Sequence, residues 1–213
     1  RAYVGLTVGV ATDSTAAILI RLALVEIDSL SVAAWRLALA SLILAPFALA
    51  TRRAELCALR RRDWVYVAVS GVFLALHFAT WITSLAHTSV AASVVLVSTS
   101  PMFVAVASHL FLREQLSRGL VTALCLAVGG SVIIGLGDVE GGTHRLWGDV
   151  LALMGAVAAA GYFLLGRQLR GRLSLLAYVF PVYSVAAVAL MAMALLSPST
   201  LRPQVGQTWL WLV

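Results

Sequence analysis

Long apolar runs recur along the chain, each about long enough to cross a lipid bilayer. One of the first reads VGVATDSTAAILIRLAL, residues 8 to 24. A helical span needs about 20 largely apolar residues. On that criterion seven spans are expected, at 3–24, 30–50, 64–85, 90–112, 119–136, 148–166 and 175–196, and an eighth begins near Thr208. A membrane β-barrel is excluded, because its strands alternate apolar and polar residues over about 10 positions and these runs do not. The chain starts on Arg1 and ends inside the apolar stretch TWLWLV, so it reads as a fragment cut at both ends.

Composition agrees with this reading. The 213 residues are 62% hydrophobic and 11% charged, whereas a soluble domain is about half apolar and about a quarter charged. The formal charge is +6, and all fifteen basic residues are arginine. They cluster in short loops between spans rather than along a soluble face, which argues against nucleic-acid binding. Cys57 falls in an Arg-rich loop and Cys125 inside a span, so no disulfide is expected. His77, His87, His109 and His144 lack ligand spacing, so no metal site is expected. No P-loop, dinucleotide fingerprint or hydrolase motif is present, and the sequence calls for no cofactor.

Arginines in short loops report orientation, because cytoplasmic loops carry the excess. The segments at 51–63 and 113–118, with the one after the sixth span, hold ten of the arginines. The four opposite segments hold only Arg145 and Arg202. The alternation is consistent over every loop and places the amino terminus in the cytoplasm. The segment at 137–147, GDVEGGTHRLW, is Gly-rich and polar and marks a boundary between two halves. Five spans precede it, so the second half enters the membrane in the opposite direction. Duplicated halves of inverted topology are a recurring transporter plan.

A charge at the bilayer centre costs about +2.5 to +3.5 kcal/mol on insertion scales. Asp13 lies about ten residues into its span. It shares a helical face with Gly5 and Gly9, which lets a neighbouring helix approach. It is a candidate proton-exchanging or cation-binding carboxylate, with a structural ion pair as the alternative. Arg21 and Arg36 lie toward the outer ends of their spans. Either would bind a carboxylate or phosphate bidentately, or snorkel to the interface. In the third span Ser70, His77, Thr80, Trp81 and Ser84 fall on one face. That stripe fits a cavity wall, or a set of hydrogen bonds between helices. The fourth span contains VSTSP, Val97 to Pro101. Pro101 frees a backbone carbonyl, and Ser98, Thr99 and Ser100 can re-satisfy backbone groups. The segment reads as a hinge or substrate contact, or else a static bend.

Taken in order, several stretches resemble the EamA family of the drug/metabolite transporter superfamily. Arg36 in SVAAWRLALASLIL sits where that family has Arg. LHFATWITSLAHTSVAASVVLVSTSPMFVAVASHLFLREQL, residues 76 to 116, is similar to its third and fourth helices, with Pro101 on the fourth-helix Pro. LREQL resembles the family ending LGERL, with Glu114 on its Glu and Arg113 in place of its Gly. ATDSTAAIL replaces the frequent Trp-Gly pair of the first helix, so Asp13 takes no family role. Glu114 is expected to pair at the helix end with Arg113 or Arg118.

The resemblance implies an all-α polytopic membrane protein, a bundle of two inverted five-helix repeats, here truncated to about seven transmembrane helices and the start of an eighth. Residues 1–136 would form the first repeat, 137–147 an external loop, and 148–213 part of the second. It implies secondary transport, with export favoured, of small organic metabolites or drugs across the cytoplasmic membrane of a prokaryote, by alternating access. The partners are then a small-molecule substrate, the lipid bilayer, and protons if Asp13 couples transport. A homodimer is compatible with the reading. The cavity candidates are Asp13, His77, Trp81, Ser98, Ser100 and Pro101, with Arg36 as an anion contact. The alternative is a membrane-embedded enzyme acting on lipid-linked substrates, for which Asp138, Glu140, His144 and Asp149 are the available groups.

Overall fold

The structure, a computed structural model, describes residues 15–139 and 142–197. Every described element is a helix. The first, α1, covers 15–23. It is followed by α2 (Ser29–Thr51), α3 (Arg53–Cys57), α4 (Arg61–His87), α5 (Val90–Val97), α6 (Ser100–Leu112), α7 (Arg118–Val139), α8 (Thr143–Arg170) and α9 (Leu175–Leu196). Among the described residues five segments are long and apolar enough to cross a membrane: α2, α4, α5 with α6, α8 and α9. Most of the expected first span, including Asp13, and the start of the eighth lie outside the described residues.

Helix starts follow local chemistry. A helix leaves its first N–H groups unpaired, and a short polar side chain at the cap accepts from them. Asp28 caps α2, accepting from the N–H groups of Leu30 at 3.0 Å and Ser31 at 3.3 Å. Ser89 caps α5 through Ala92 at 3.1 Å, and Ser174 caps α9 through Ala177 at 3.4 Å.

Several helices overrun the apolar stretches that announce them. α4 extends to both sides of 64–85, and α8 to both sides of 148–166. Helix also occupies 137–139 and 143–147 of the expected external loop. The physical reason is that apolar length measures the hydrocarbon layer, while backbone hydrogen bonding continues into the interface.

α4 lies at the centre, packed along α8 on one side and against α9 and α2 on the other; α2 runs along α9. Ile82, Leu85, Leu190 and Tyr178 are fully buried in the resulting core. Lipid tails are as apolar as leucine, so helix association rests on close packing and interhelical hydrogen bonds. Both occur here. Ser41 Oγ lies 2.7 Å from Ser184 Oγ between α2 and α9. Ser70 Oγ lies 2.6 Å from the Tyr178 hydroxyl between α4 and α9. On the α4–α8 seam, a Cβ at Gly161 would sit 2.5 Å from the Phe73 ring, so only glycine permits this approach.

The Arg-rich segments gather at one end of the bundle. Arg172 Nη2 donates to Asp63 Oδ1 at 2.7 Å, and the Ser174 N–H donates to Glu55 Oε2 at 2.8 Å. At the opposite end, Ser29 Oγ and Thr83 Oγ1 are 2.8 Å apart. The alternation read from the arginines is therefore an alternation between two ends of the molecule.

Candidate functional site

The fourth span is not continuous. α5 stops at Val97 and α6 starts at Ser100, near the middle of the 22-residue segment Val90–Phe111. Pro101 occupies the first turn of α6, where a missing N–H is least costly. Proline offers no N–H to the Val97 carbonyl one turn back. The Met102 N–H bonds the Thr99 carbonyl at 2.8 Å, bypassing that of Ser98. Thr99 Oγ1 donates to the Leu96 carbonyl at 2.6 Å and holds the break in shape. The carbonyls of Val97 and Ser98 are thus left out of the helical ladder.

Both residues line a cavity of about 220 Å³ whose wall also contains His77, Trp81, Ser100, Ala159 and Phe163. Four of the residues expected from the sequence therefore meet: His77, Trp81, Ser98 and Ser100. The His77 and Trp81 rings stack, with centroids 5.8 Å apart and planes 16° from parallel. His77 Nδ1 lies 2.9 Å from the Gly155 carbonyl. A carbonyl only accepts, so this bond puts a proton on Nδ1. The approach depends on Gly155, where a Cβ would lie 3.1 Å from Thr80 Oγ1 and 3.4 Å from Trp81 Cβ. The buried Trp81 indole N–H has no hydrogen-bond partner among the described residues. A buried donor left unsatisfied costs about 1–3 kcal/mol, and this one belongs to the cavity wall.

The rest of the polar stripe on α4 serves packing. Ser70 bonds Tyr178, Thr80 donates to the Leu76 carbonyl at 2.8 Å, and Ser84 Oγ lies 2.6 Å from Ser93 Oγ of α5. Arg36 is not part of the cavity wall; it lies on α2 within electrostatic range of the Tyr183 phenol on α9. Arg21 is exposed near the end of α1. Asp13 lies outside the described residues.

Pro101 lines a second, larger chamber of about 490 Å³, with Ser108, Glu114, Leu120, Phe163 and Arg167. Phe163 belongs to both chambers. The second chamber lies toward the Arg-rich end and has the ion pair Glu114–Arg167 in its wall. Arg167 Nη1 donates to Glu114 Oε2 at 3.1 Å, and Nη2 donates to Oε1. Glu114 thus pairs across to α8, rather than with Arg113 or Arg118. The backbone explains the difference. Arg113 takes a left-handed conformation, φ 56°, which turns the chain at the end of α6. The Arg167 hydrogen bond holds the Glu114 carboxyl below its ordinary value of 4.5.

Phe163 and Arg167 escaped sequence reasoning. Their signal was spacing: Ala159, Phe163 and Arg167 follow i, i+4, i+8 on one face of α8. In sequence Asp149 groups with Asp138, Glu140 and His144 of the Gly-rich outer segment. It lies inside α8, is buried, and accepts from Thr88 Oγ1 at 2.9 Å. Among the described residues no cluster of three or more His, Cys, Asp or Glu is placed to hold a metal ion.

Residues 1–136 match the EamA-like transporter family. The pseudopaline exporter CntI of Pseudomonas aeruginosa strain UCBPP-PA14 is 31% identical over 148 residues, 68% of this chain and 51% of that protein. The uncharacterized transporter YetK of Bacillus subtilis strain 168 is 31% identical over 94 residues, 43% of this chain and 28% of that protein. The chain spans about half the length of the exporter it matches. A solved crystal structure shares the fold with a TM-score of 0.61 at 19% identity, over 93% of this chain and 70% of the other. With its membrane-length helices and this match over most of its length, the chain is a multi-pass membrane protein of the EamA-like transporter family.

Proposed function

We propose that this chain is part of a secondary transporter that exports small organic solutes by alternating access around the cavity at the α5–α6 break. The observation that carries the reading is the convergence of His77, Trp81, Ser98 and Ser100 on that one cavity. Aromatic faces, hydroxyls and unladdered carbonyls suit a solute with both apolar and polar parts. At 220 Å³ the space is small beside the about 300–1,000 Å³ of drug-sized ligand sites. A turn of the Phe163 ring would join it to the 490 Å³ chamber toward the Arg-rich end.

In this reading the Arg-rich end faces the cytoplasm of a prokaryote and the protein sits in the inner membrane. α1 to α7 form one five-helix half, and α8 and α9 begin an inverted second half. Rocking between the halves alternates access. Such motion would break and remake the ties between them, of which Glu114–Arg167 is one. The relative named as an exporter supports outward transport. Asp13 is the proposed proton-coupling carboxylate, and Arg36 an anion contact reached in another conformation.

Counterflow of labelled metabolites in proteoliposomes holding the full-length protein tests transport. Accumulation that needs sealed vesicles supports it; turnover without sealing sinks it. Asp13→Asn should abolish the response to an imposed pH gradient, and normal pH-driven transport would rule out coupling through Asp13. Labelling of the exposed Cys57 by a membrane-impermeant thiol reagent in intact cells would reverse the orientation.

A further inference from the structure

A second polar site lies at the Arg-rich end, outside the transport cavity. Arg60, Arg62, Asp63, Tyr66, Gln168 and Arg172 enclose a space of about 260 Å³ between the start of α4 and the end of α8. Asp63 is already satisfied. Its Oδ1 accepts from Arg172, and its Oδ2 from the Arg60 N–H at 3.0 Å. Arg62 Nη2 donates to the Tyr66 hydroxyl at 3.3 Å, and its guanidinium lies 5.7 Å from the Tyr66 ring centroid. A guanidinium has five donors, so all three arginines keep N–H groups to spare. Three positive charges face one carboxylate, and the surplus positive charge calls for an anion.

An apolar groove of about 420 Å³ lies on the same seam, nearer the middle of the membrane. It is lined by Phe73, Leu76 and Thr80 of α4 and by Val150, Met154 and Val157 of α8, among others. The Thr80 hydroxyl is spent on its own helix, so among the described residues no free polar side chain faces the groove. Helical spacing puts pocket and groove on one face. Arg62, Tyr66, Phe73 and Thr80 step by 4, 7 and 7 residues on α4. Gln168, Gly161, Val157, Met154 and Val150 step by 7, 4, 3 and 4 on α8. Ala159 and Phe163, which line the transport cavity, point to the other side of α8.

We infer that this seam binds an anionic glycerophospholipid. Its phosphate sits among Arg60, Arg62 and Arg172, and one acyl chain lies in the groove. The fork of a guanidinium matches a phosphodiester. Trp64, half exposed at the same end of α4, puts an aromatic side chain at headgroup depth, where such rings concentrate. From Tyr66 to Thr80 an α-helix rises roughly 21 Å, more than the about 15 Å of one hydrocarbon leaflet. A tail descending from the pocket therefore passes Phe73 and ends near Leu76, in the near part of the groove. Basic pockets between membrane helices commonly take such headgroups.

The test uses delipidated full-length protein, titrated in detergent with phosphatidylglycerol, phosphatidylcholine or inorganic phosphate. Binding is read by native mass spectrometry and thermal stability. Phosphatidylglycerol should be retained and should raise the melting temperature; the other two should do neither. Arg60→Gln and Arg62→Gln should each weaken retention about fivefold, the scale of one basic side chain at an anionic surface. Val157→Trp, which fills the groove without touching the arginines, should also displace the lipid. Equal retention of both lipids, or an equal effect of phosphate alone, would overturn the proposal. So would full retention in Val157→Trp, or a groove covered by another part of the full chain or a second copy, seen as protection of Val157→Cys from a lipid-soluble thiol reagent.

Discussion

Arg167 of α8 grips Glu114, at the turn after α6, through both guanidinium arms. One residue precedes and the other follows the boundary between the two halves expected from the sequence. Their pairing closes the wall of the larger chamber at the Arg-rich end. The Glu55 carboxylate, accepting from the Ser174 N–H, ties α3 to α9 at the same end.

These ties set a pH dependence. The pull of Arg167 lowers the Glu114 carboxyl, and the Ser174 N–H, with a smaller part from Arg52, lowers that of Glu55, both from 4.5. A carboxyl lowered in the folded state stabilises that state above its unfolded value, and the contribution disappears as pH falls through the lowered value. The melting temperature should therefore be insensitive to these groups from pH 7 to about 5, and should drop below about 4.5. Glu114→Gln and Glu55→Gln should shallow that drop in a thermal scan from pH 7 to pH 3.

Trp81→Phe keeps an aromatic ring beside His77 and deletes the unpartnered N–H. Thermal stability should be unchanged or raised, because an unsatisfied buried donor costs about 1–3 kcal/mol. Solute affinity should fall about fivefold or more, in line with one lost hydrogen bond of about 1 kcal/mol. A Kd measurement beside a melting curve separates the two effects.

Pro101→Ala restores the N–H that the Val97 carbonyl lacks. A proline inside a helix costs about 3 kcal/mol, but Pro101 sits in the first turn of α6. Replacing it should change stability by less than about 1 kcal/mol. Joining α5 to α6 should slow transport several-fold by withdrawing the Val97 carbonyl from the cavity. Guanidine- or heat-induced unfolding gives the first quantity and proteoliposome flux the second.

Gly155→Ala brings a methyl group to 3.1 Å from Thr80 Oγ1. Overpacking of this kind costs about 1–3 kcal/mol. It should also lengthen the His77–Gly155 bond as α4 and α8 separate, so His77→Gln and Gly155→Ala should be non-additive in a double-mutant cycle.

Much of this was legible in the chain. Apolar length located five of the expected spans among the described residues, because the bilayer fixes what a helix must bury. The arginine pattern separated the two ends, and spacing put His77 and Trp81 on one face of their span without any sign that they would meet Ser98 and Ser100. What the sequence hid depends on pairing at a distance. Ser70 and Ser84 look like cavity residues from α4 alone, and only Tyr178 and Ser93 reveal them as interhelical ties. Asp149 looks like a loop acid until α8 is seen to start at Thr143 and Thr88 to cover it. Glu114 has two arginines nearby in sequence but meets a third, 53 residues on.

The central claim is that solute passes through the cavity at the α5–α6 break. The most direct measurement modifies Ser100→Cys in a full-length protein whose Cys57 and Cys125 are replaced by Ser. A small thiol reagent should reach the new cysteine, block counterflow, and be slowed several-fold by saturating solute. Complete labelling with counterflow undiminished would contradict the account.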